Sequence, residues 1–380
     1  MSTDGAQYYA KLAQCKEAII GYPSQDGESY LLLSPSLISS VLRDCETFQP
    51  NSHPFKSITG IASSEGCVLL GINKRQKVDF QSEVRTATHN YFSILSRSDL
   101  NTGSKLYHHA KKFMVALMTD VIFGSNFGKI AQDVAIASDI IEDARACYGM
   151  SLPAKAHTLT RKCLHDAQDT LSTMAALIQL DHGFEPQAAL NHAIRETMLN
   201  AFVPMTYAFL WTILLLGKHP SHQDIVIRGI SRPDSRPITD AHVSRVVRES
   251  LRLFPPAWAM GRQCTRPTAL NGFQIAAGDH LIISPYATHR SKSIWTHADK
   301  FAPDRFLTYP KTRFSYFPFG GGPHKCPAAR HVVPMLSAMV EVFVELYSFK
   351  TERFAKPRSL VGLRPDTRFH IDIQERVSKL

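Results

Sequence analysis

No stretch of this chain approaches the ~20 uncharged apolar residues that cross a bilayer as a helix. The longest candidate, Ala201 to Leu216, falls short of that length and is interrupted by Pro204, so no membrane span is expected. The first residues, Met1-Ser2-Thr3-Asp4-Gly5, lack the apolar run of a secretion signal. Cysteine is sparse and unpatterned, with seven residues and no C-x-x-C pair. An odd, scattered set argues against a disulfide framework and for a reducing, cytoplasmic setting. Cys15, Cys45, Cys67, Cys147, Cys163 and Cys264 read as core or surface thiols. Low-complexity linkers and internal repeats are also missing. Residues 1–380 therefore read as a single domain, with 1–28 a poorly defined amino-terminal segment. No basic stripe interleaved with aromatics accompanies the net charge of +10, which argues against a nucleic-acid partner and for a solvated basic surface.

What is present suits a substantial core: 44% of the residues are hydrophobic and 20% charged. From about Leu106 to Leu216 the pattern is helical, with Phe113, Leu117, Val121 and Ile122 on a core-facing stripe. Ser29 to Leu33 reads as a short strand ended by a turn at Ser34-Pro35. Ser36 is the expected cap of a following helix with Leu37, Ile38, Val41 and Leu42. Short strands are expected from Leu270 to Ser284, turning at Asn271-Gly272 and at Ala277-Gly278-Asp279. Residues 51–71 read as a loop, and His289, Arg290 and Trp295 fall in another loop region. An apolar helix covers Val340 to Leu346, with Pro334 expected to kink or open it. The fold class is mainly α with a minor β-sheet.

The most informative segment is Phe319-Gly320-Gly321-Gly322-Pro323-His324-Lys325-Cys326. Glycines permit tight turns and close approach to a flat cofactor, and Pro323 stiffens the turn. Pro327 after the cysteine suits the first position of a helix. A thiolate at a helix amino terminus is favoured by the dipole and by free N–H groups, so a lowered pKa is expected for Cys326. These features suggest a thiolate-ligated haem iron.

The segment resembles the haem-binding loop of the cytochrome P-450 superfamily. Phe319, Gly322, His324, Cys326 and Ala328 fill the slots of that family's pattern. Glu249-Ser250-Leu251-Arg252 resembles its Glu-x-x-Arg helix, and Pro303-Asp304-Arg305-Phe306 resembles the segment whose arginine completes a Glu–Arg–Arg network. The resemblance runs from about Tyr30 to Leu346 and implies a cytochrome P-450 fold of the soluble bacterial type, binding haem b through Cys326 as metal ligand. Phe319, Gly320 and Ala328 would line the cofactor, and Arg262 and His324 would meet its propionates. Asn73 and Lys77 stand where the family has a Trp or His followed by an Arg, so that pairing is only partly kept. Glu249, Arg252 and Arg305 are implied to be structural. Lys325 and Lys74-Arg75-Gln76-Lys77 would steer an acidic ferredoxin or flavodoxin to the haem face.

One departure bears on chemistry. The family's distal helix would pass over the haem at Ala201 to Thr206, where oxygen-activating members have an acid followed by threonine to relay protons. Here the two slots hold Val203 and Pro204. Thr206 lies two residues later, about 200° round a regular helix. Peroxide-using relatives have a similar proline, preceded by an arginine; here that position is Val203. The resemblance implies a monooxygenase oxidising a small to medium apolar metabolite of a specialised pathway. Peroxide-dependent or redox-neutral chemistry, and a non-catalytic recruitment protein, stand as alternatives.

Overall fold

The computed structural model describes residues 5–15, 17–24, 27–51, 80–123, 187–230, 236–308, 314–326, 328–359 and 362–376. In chain order the elements are α1 (Gly5–Leu12), β1 (Ile19–Ser24), β2 (Gly27–Leu32), α2 (Pro35–Arg43) and β3 (Phe48–Asn51). Next come α3 (Phe80–Phe92), α4 (Arg97–Leu100), α5 (Gly103–Phe123), α6 (Gln187–Lys218), α7 (Pro220–Ile230) and α8 (Arg236–Leu253). Strands β4 (Met260–Cys264), β5 (Thr268–Leu270), β6 (Phe273–Ile275) and β7 (His280–Ile283) follow, then α9 (Pro285–Thr288) and α10 (Ala329–Leu346). The chain closes with β8 (Tyr347–Arg353), β9 (Pro357–Ser359), β10 (Leu363–Pro365) and β11 (His370–Glu375). Mainly helical structure with small sheets is the expected class. Two compact units contain these elements: residues 1–62, 244–330 and 357–364 form one, and 63–243, 331–356 and 365–380 the other.

The first unit is built on a five-stranded sheet of order β1-β2-β7-β4-β3. β2 pairs in parallel with β7, and the other neighbours are antiparallel. Leu31 and Leu32 on β2 and Leu281, Ile282 and Ile283 on β7 are fully buried, as continuous apolar runs in a central parallel pair should be. One core gathers Ile38, Val41 and Leu42 of α2 with Tyr30, Phe48, Ile283 and Phe317. Each such side chain contributes about 1.5–3 kcal/mol on burial. β1 and α1 lie within the first 28 residues, for which the sequence offers no assignment.

α2 begins two residues earlier than expected. Ser34 is the N-cap residue, extended at φ −79° and ψ 127°, and Pro35 occupies the first turn. Proline fixes φ and lacks an N–H, so it starts the helix. Ser36, expected as the cap, is already helical, and its hydroxyl meets that of Ser34 at 2.8 Å. The two expected turns are present: β5 and β6 pair across Asn271 (φ 49°) and Gly272 (φ 87°), and Asp279 accepts from the Ala276 amide at 2.8 Å.

In the second unit the helical stripe expected from Leu106 onward corresponds to α5 and α6, and residues 124–186 lie outside the described residues. Phe92, Phe209 and Phe343 meet edge-on or tilted at 5.3–6.0 Å between ring centres. Thr351 of β8 donates to the Leu214 carbonyl at 2.9 Å, and Gln223 donates to the carbonyls of Leu216 and Phe349 at 3.0 and 2.8 Å. α10 runs from Ala329 to Leu346 through Pro334.

Candidate functional site

The spacing of Glu249 and Arg252 puts both on one face of α8, and both are fully buried. Glu249 Oε2 accepts from Arg252 Nε at 2.7 Å. Its Oε1 accepts from Arg252 Nη2, Arg305 Nε and the Ala302 amide, each at 2.9 Å. The remaining Arg252 N–H groups donate to the carbonyls of His289 (2.6 Å), Ala298 (2.7 Å) and Lys300 (3.1 Å). Arg305 arrives on a 3₁₀ turn, Pro303–Leu307. The Trp295 ring lies 5.1 Å from the Arg252 guanidinium and 5.8 Å from that of Arg305. A buried carboxylate with four donors, opposite a guanidinium with every N–H engaged, is a structural clamp with no exposed reactive group.

The cysteine loop is closed by its own backbone. The Gly320 amide donates to the Phe317 carbonyl at 3.0 Å, and the Cys326 amide to the Phe319 carbonyl at 2.9 Å. Gly322–His324 form a single 3₁₀ turn between them. Gly322 has φ +69°, and a Cβ there would overlap the Leu42 carbonyl at the end of α2. That slot requires glycine because a helix end occupies the space.

Cys326 is half-buried, the Ala329 amide donates to its carbonyl at 3.2 Å, and the nearby amides of Ala328 and Ala329 favour the thiolate. Burial nevertheless pushes the thiol up, outweighing those amides and Lys325. The expectation of a lowered pKa is overturned for the protein alone, because desolvation of a thiolate is the larger effect. A metal held by Cys326 would take the sulfur as thiolate, the form that the Ala328 and Ala329 amides favour.

Arg262, on β4, is 5% exposed. Its Nη1 donates to its neighbour Gly261 at 2.8 Å, while its buried Nε has no hydrogen-bond partner among the described residues. Desolvation weakens its hold on the proton, Cys45 acting weakly the other way. His324 is held below the ordinary histidine value by desolvation and then by the charge of Arg262. Among the described residues no carboxylate pairs with either one.

In the second unit, α6 is continuous through Pro204. Phe202, Val203, Met205 and Thr206 are buried. The Thr206 hydroxyl donates to the Phe202 carbonyl one turn back, at 2.8 Å. Its proton is thus committed to the helix's own backbone. Pro204 has no N–H for the carbonyl of residue 200. The Ala201 side chain is outside the described set.

Residues 154–363 match the cytochrome P450 family model, more than half of the chain. The chain belongs to the cytochrome P450 family. Cyclooctatin synthase of Streptomyces melanosporofaciens is 35% identical over 172 residues, covering 42% of this P450 chain and 38% of that protein. Norfluorocurarine oxidase of a Strychnos species is 28% identical over 208 residues, covering 49% and 40%. Drimenol monooxygenase of Persicaria hydropiper is 23% identical over 211 residues, covering 52% and 42%. The P450 chain thus matches about two fifths of the length of these curated relatives.

The family implies a haem cofactor, and the residues present fit one. A buried guanidinium with an orphaned Nε, and with no carboxylate partner among the described residues, is suited to the carboxylates of a haem. Asn73, Lys77 and the basic run Lys74-Arg75-Gln76-Lys77 lie outside the described residues, as does the segment 52–71. Sequence reasoning assigned His289 and Trp295 only to a loop, yet both pack against the Glu249 clamp of this P450. Their contacts are with backbone and guanidinium groups, which leave no periodic trace in the sequence.

Proposed function

We propose that Cys326 ligates a haem b and that the protein is a haem-thiolate oxidoreductase, acting as a monooxygenase on a small to medium apolar metabolite of a specialised pathway. The observation that supports this reading is the closed loop that holds Cys326 half-buried, together with the buried Arg262, whose Nε lacks a partner among the described residues. When bound, a thiolate-ligated haem supplies oxygen activation towards otherwise unreactive bonds. The chain's own contribution is to favour the thiolate with the Ala328 and Ala329 amides, to engage propionates with Arg262 and His324, and to fix the loop against α2. Phe319, Gly320 and Ala328 are proposed to lie against the cofactor, with Asn73 and Lys77 as further contacts. Glu249, Arg252 and Arg305 act as scaffold. The exposed Lys325 beside the ligand supports an acidic ferredoxin or flavodoxin as electron donor.

A second reading is favoured by α6. By the family's pattern Val203 and Pro204 stand at the proton-relay slots, and the Thr206 hydroxyl is engaged by Phe202. Peroxide-dependent or redox-neutral chemistry needs no such relay, and a non-catalytic recruitment role needs none either. No helix of the described residues is long and apolar enough to cross a membrane. The described cysteines are all free, which supports a reducing, cytoplasmic setting.

The test is reduction under carbon monoxide, first with a surrogate ferredoxin and its reductase and then with dithionite. A red-shifted thiolate–CO Soret band with the protein donor supports the monooxygenase. A band with dithionite alone keeps the ligand and moves the peroxide, redox-neutral and recruitment readings ahead. No band with either reductant refutes Cys326 ligation.

A further inference from the structure

We infer that His289 is a positioning residue for the cysteine ligand: a neutral imidazole with its hydrogen on Nδ1, joining the carboxyl end of α8 to the start of the Cys326 loop. His289 is fully buried. Its Nδ1 lies 3.2 Å from the Arg252 carbonyl, and its Nε2 lies 3.0 Å from the Phe317 amide nitrogen. A carbonyl can only accept and an amide N–H can only donate, so the two partners dictate the tautomer. They also exclude the imidazolium, whose second N–H would confront the Phe317 N–H. The charged groups that face the ring, Arg252 and Arg290, oppose protonation as well. The Glu249 carboxylate nearby is already taken by Arg252 and Arg305.

The ring's orientation is fixed by packing. Tyr316 stacks on it at 5.3 Å and 29°, and Phe317 meets it edge-on at 5.3 Å and 75°. Tyr316 is itself held by its hydroxyl, which donates to the Arg248 carbonyl at 3.0 Å. The His289 carbonyl accepts from Arg252 Nη1, so this residue is tied to Arg252 through both main chain and ring.

From the imidazole the restraint runs straight into the loop. The Phe317 ring is 4% exposed in the sheet core, its N–H is held by His289, and its carbonyl holds Gly320. The Phe319 carbonyl, one residue before Gly320, holds the Cys326 amide. Removing the acceptor at Nε2 leaves a buried amide without a partner at the base of the loop. The backbone there must shift or admit water, and the sulfur moves with it.

Asparagine and glutamine variants separate this link from packing. Asn places an amide donor near Nδ1 and keeps the Arg252 bond, while Gln places a carbonyl near Nε2 and keeps the Phe317 bond. Both lose the ring contacts. The inference rests on the haem-thiolate reading for one of its readouts, the fraction of reduced CO complex showing the thiolate band. We expect His289→Asn to lower that fraction well below His289→Gln, and the Phe317 amide to exchange on the order of 10-fold faster in the Asn variant. In the wild-type holoprotein, imidazole ¹⁵N shifts should report a hydrogen on Nδ1. An Nε2–H tautomer overturns the inference. So does an Asn variant with wild-type Phe317 protection and a wild-type band. If Asn does not fold, the tautomer and the Gln variant decide, since a Gln variant that loses Phe317 protection also overturns it. Absence of the band from the wild type refutes the haem-thiolate reading instead, and the exchange and ¹⁵N measurements still judge His289.

Discussion

Replacing Glu249 with glutamine removes one charge and leaves the shape nearly unchanged. In the native protein its carboxylate accepts from Arg252 twice, from Arg305 and from the Ala302 amide. Both Glu249 and Arg252 are fully buried, so the guanidinium loses its counterion where water cannot replace it. Breaking one side of a buried pair costs about 3–5 kcal/mol. The amide also turns an N–H towards at least one existing donor, which adds to the loss. Against a typical total of about 5–15 kcal/mol, the variant should be marginal at 37 °C. The assay is urea unfolding followed by far-ultraviolet circular dichroism, comparing free energies at matched slopes. Arg305→Gln should cost less, about 1–3 kcal/mol, because its side chain is 14% exposed and water can reach part of it. The double variant Glu249→Leu/Arg252→Met should be less damaging than either single change. A Glu249→Gln loss below about 1 kcal/mol would refute the buried-clamp reasoning.

Cys326→Ser should abolish the thiolate–CO band while leaving the far-ultraviolet spectrum unchanged; a surviving band rules out Cys326 as ligand. Gly322→Ala should fail to retain haem in gel filtration, because the added methyl meets the Leu42 carbonyl; full retention shows that the loop can yield. His289 is held well below its unfolded value of about 6.5, so its neutral form carries the native contacts. Stability should therefore be intact above about pH 6.5 and fall as the pH drops below it. Urea midpoints of wild type and His289→Gln between pH 7.5 and 5.5, compared by difference, isolate this contribution, and identical pH dependence sinks it. Thr206→Val should leave product formation per electron unchanged, since the hydroxyl is bonded to Phe202; a large drop in coupling would show that the hydroxyl leaves that bond to work.

Elements built on periodicity or turn chemistry were legible in the sequence. The stripe of α5, the hairpin at Asn271-Gly272 and the apolar body of α10 each leave a local pattern. The closed turn before Cys326 was legible for a different reason, since glycine and proline at fixed spacing write their backbone requirement residue by residue. The start of α2 was misplaced because two serines flank the proline, and only the backbone conformation separates them. The thiol's raised pKa was missed because helix-end amides can be counted in a sequence, whereas desolvation depends on what folds over the sulfur. His289 gave no signal at all. Its partners are the main-chain atoms of residues 252 and 317, and no side-chain pattern encodes them.

The parallel pairing of β2 with β7 has a consequence for how the protein is made. Leu31 sits beside Ile282, so a strand translated early cannot find its neighbour until roughly 250 more residues have left the ribosome. At about 5–20 residues per second that delay is on the order of 10–50 s. For that interval the fully apolar Leu31-Leu32 edge stays open to other nascent chains. Expression yield should therefore respond to chaperone supply and to lowered temperature more strongly than the finished protein's stability would suggest.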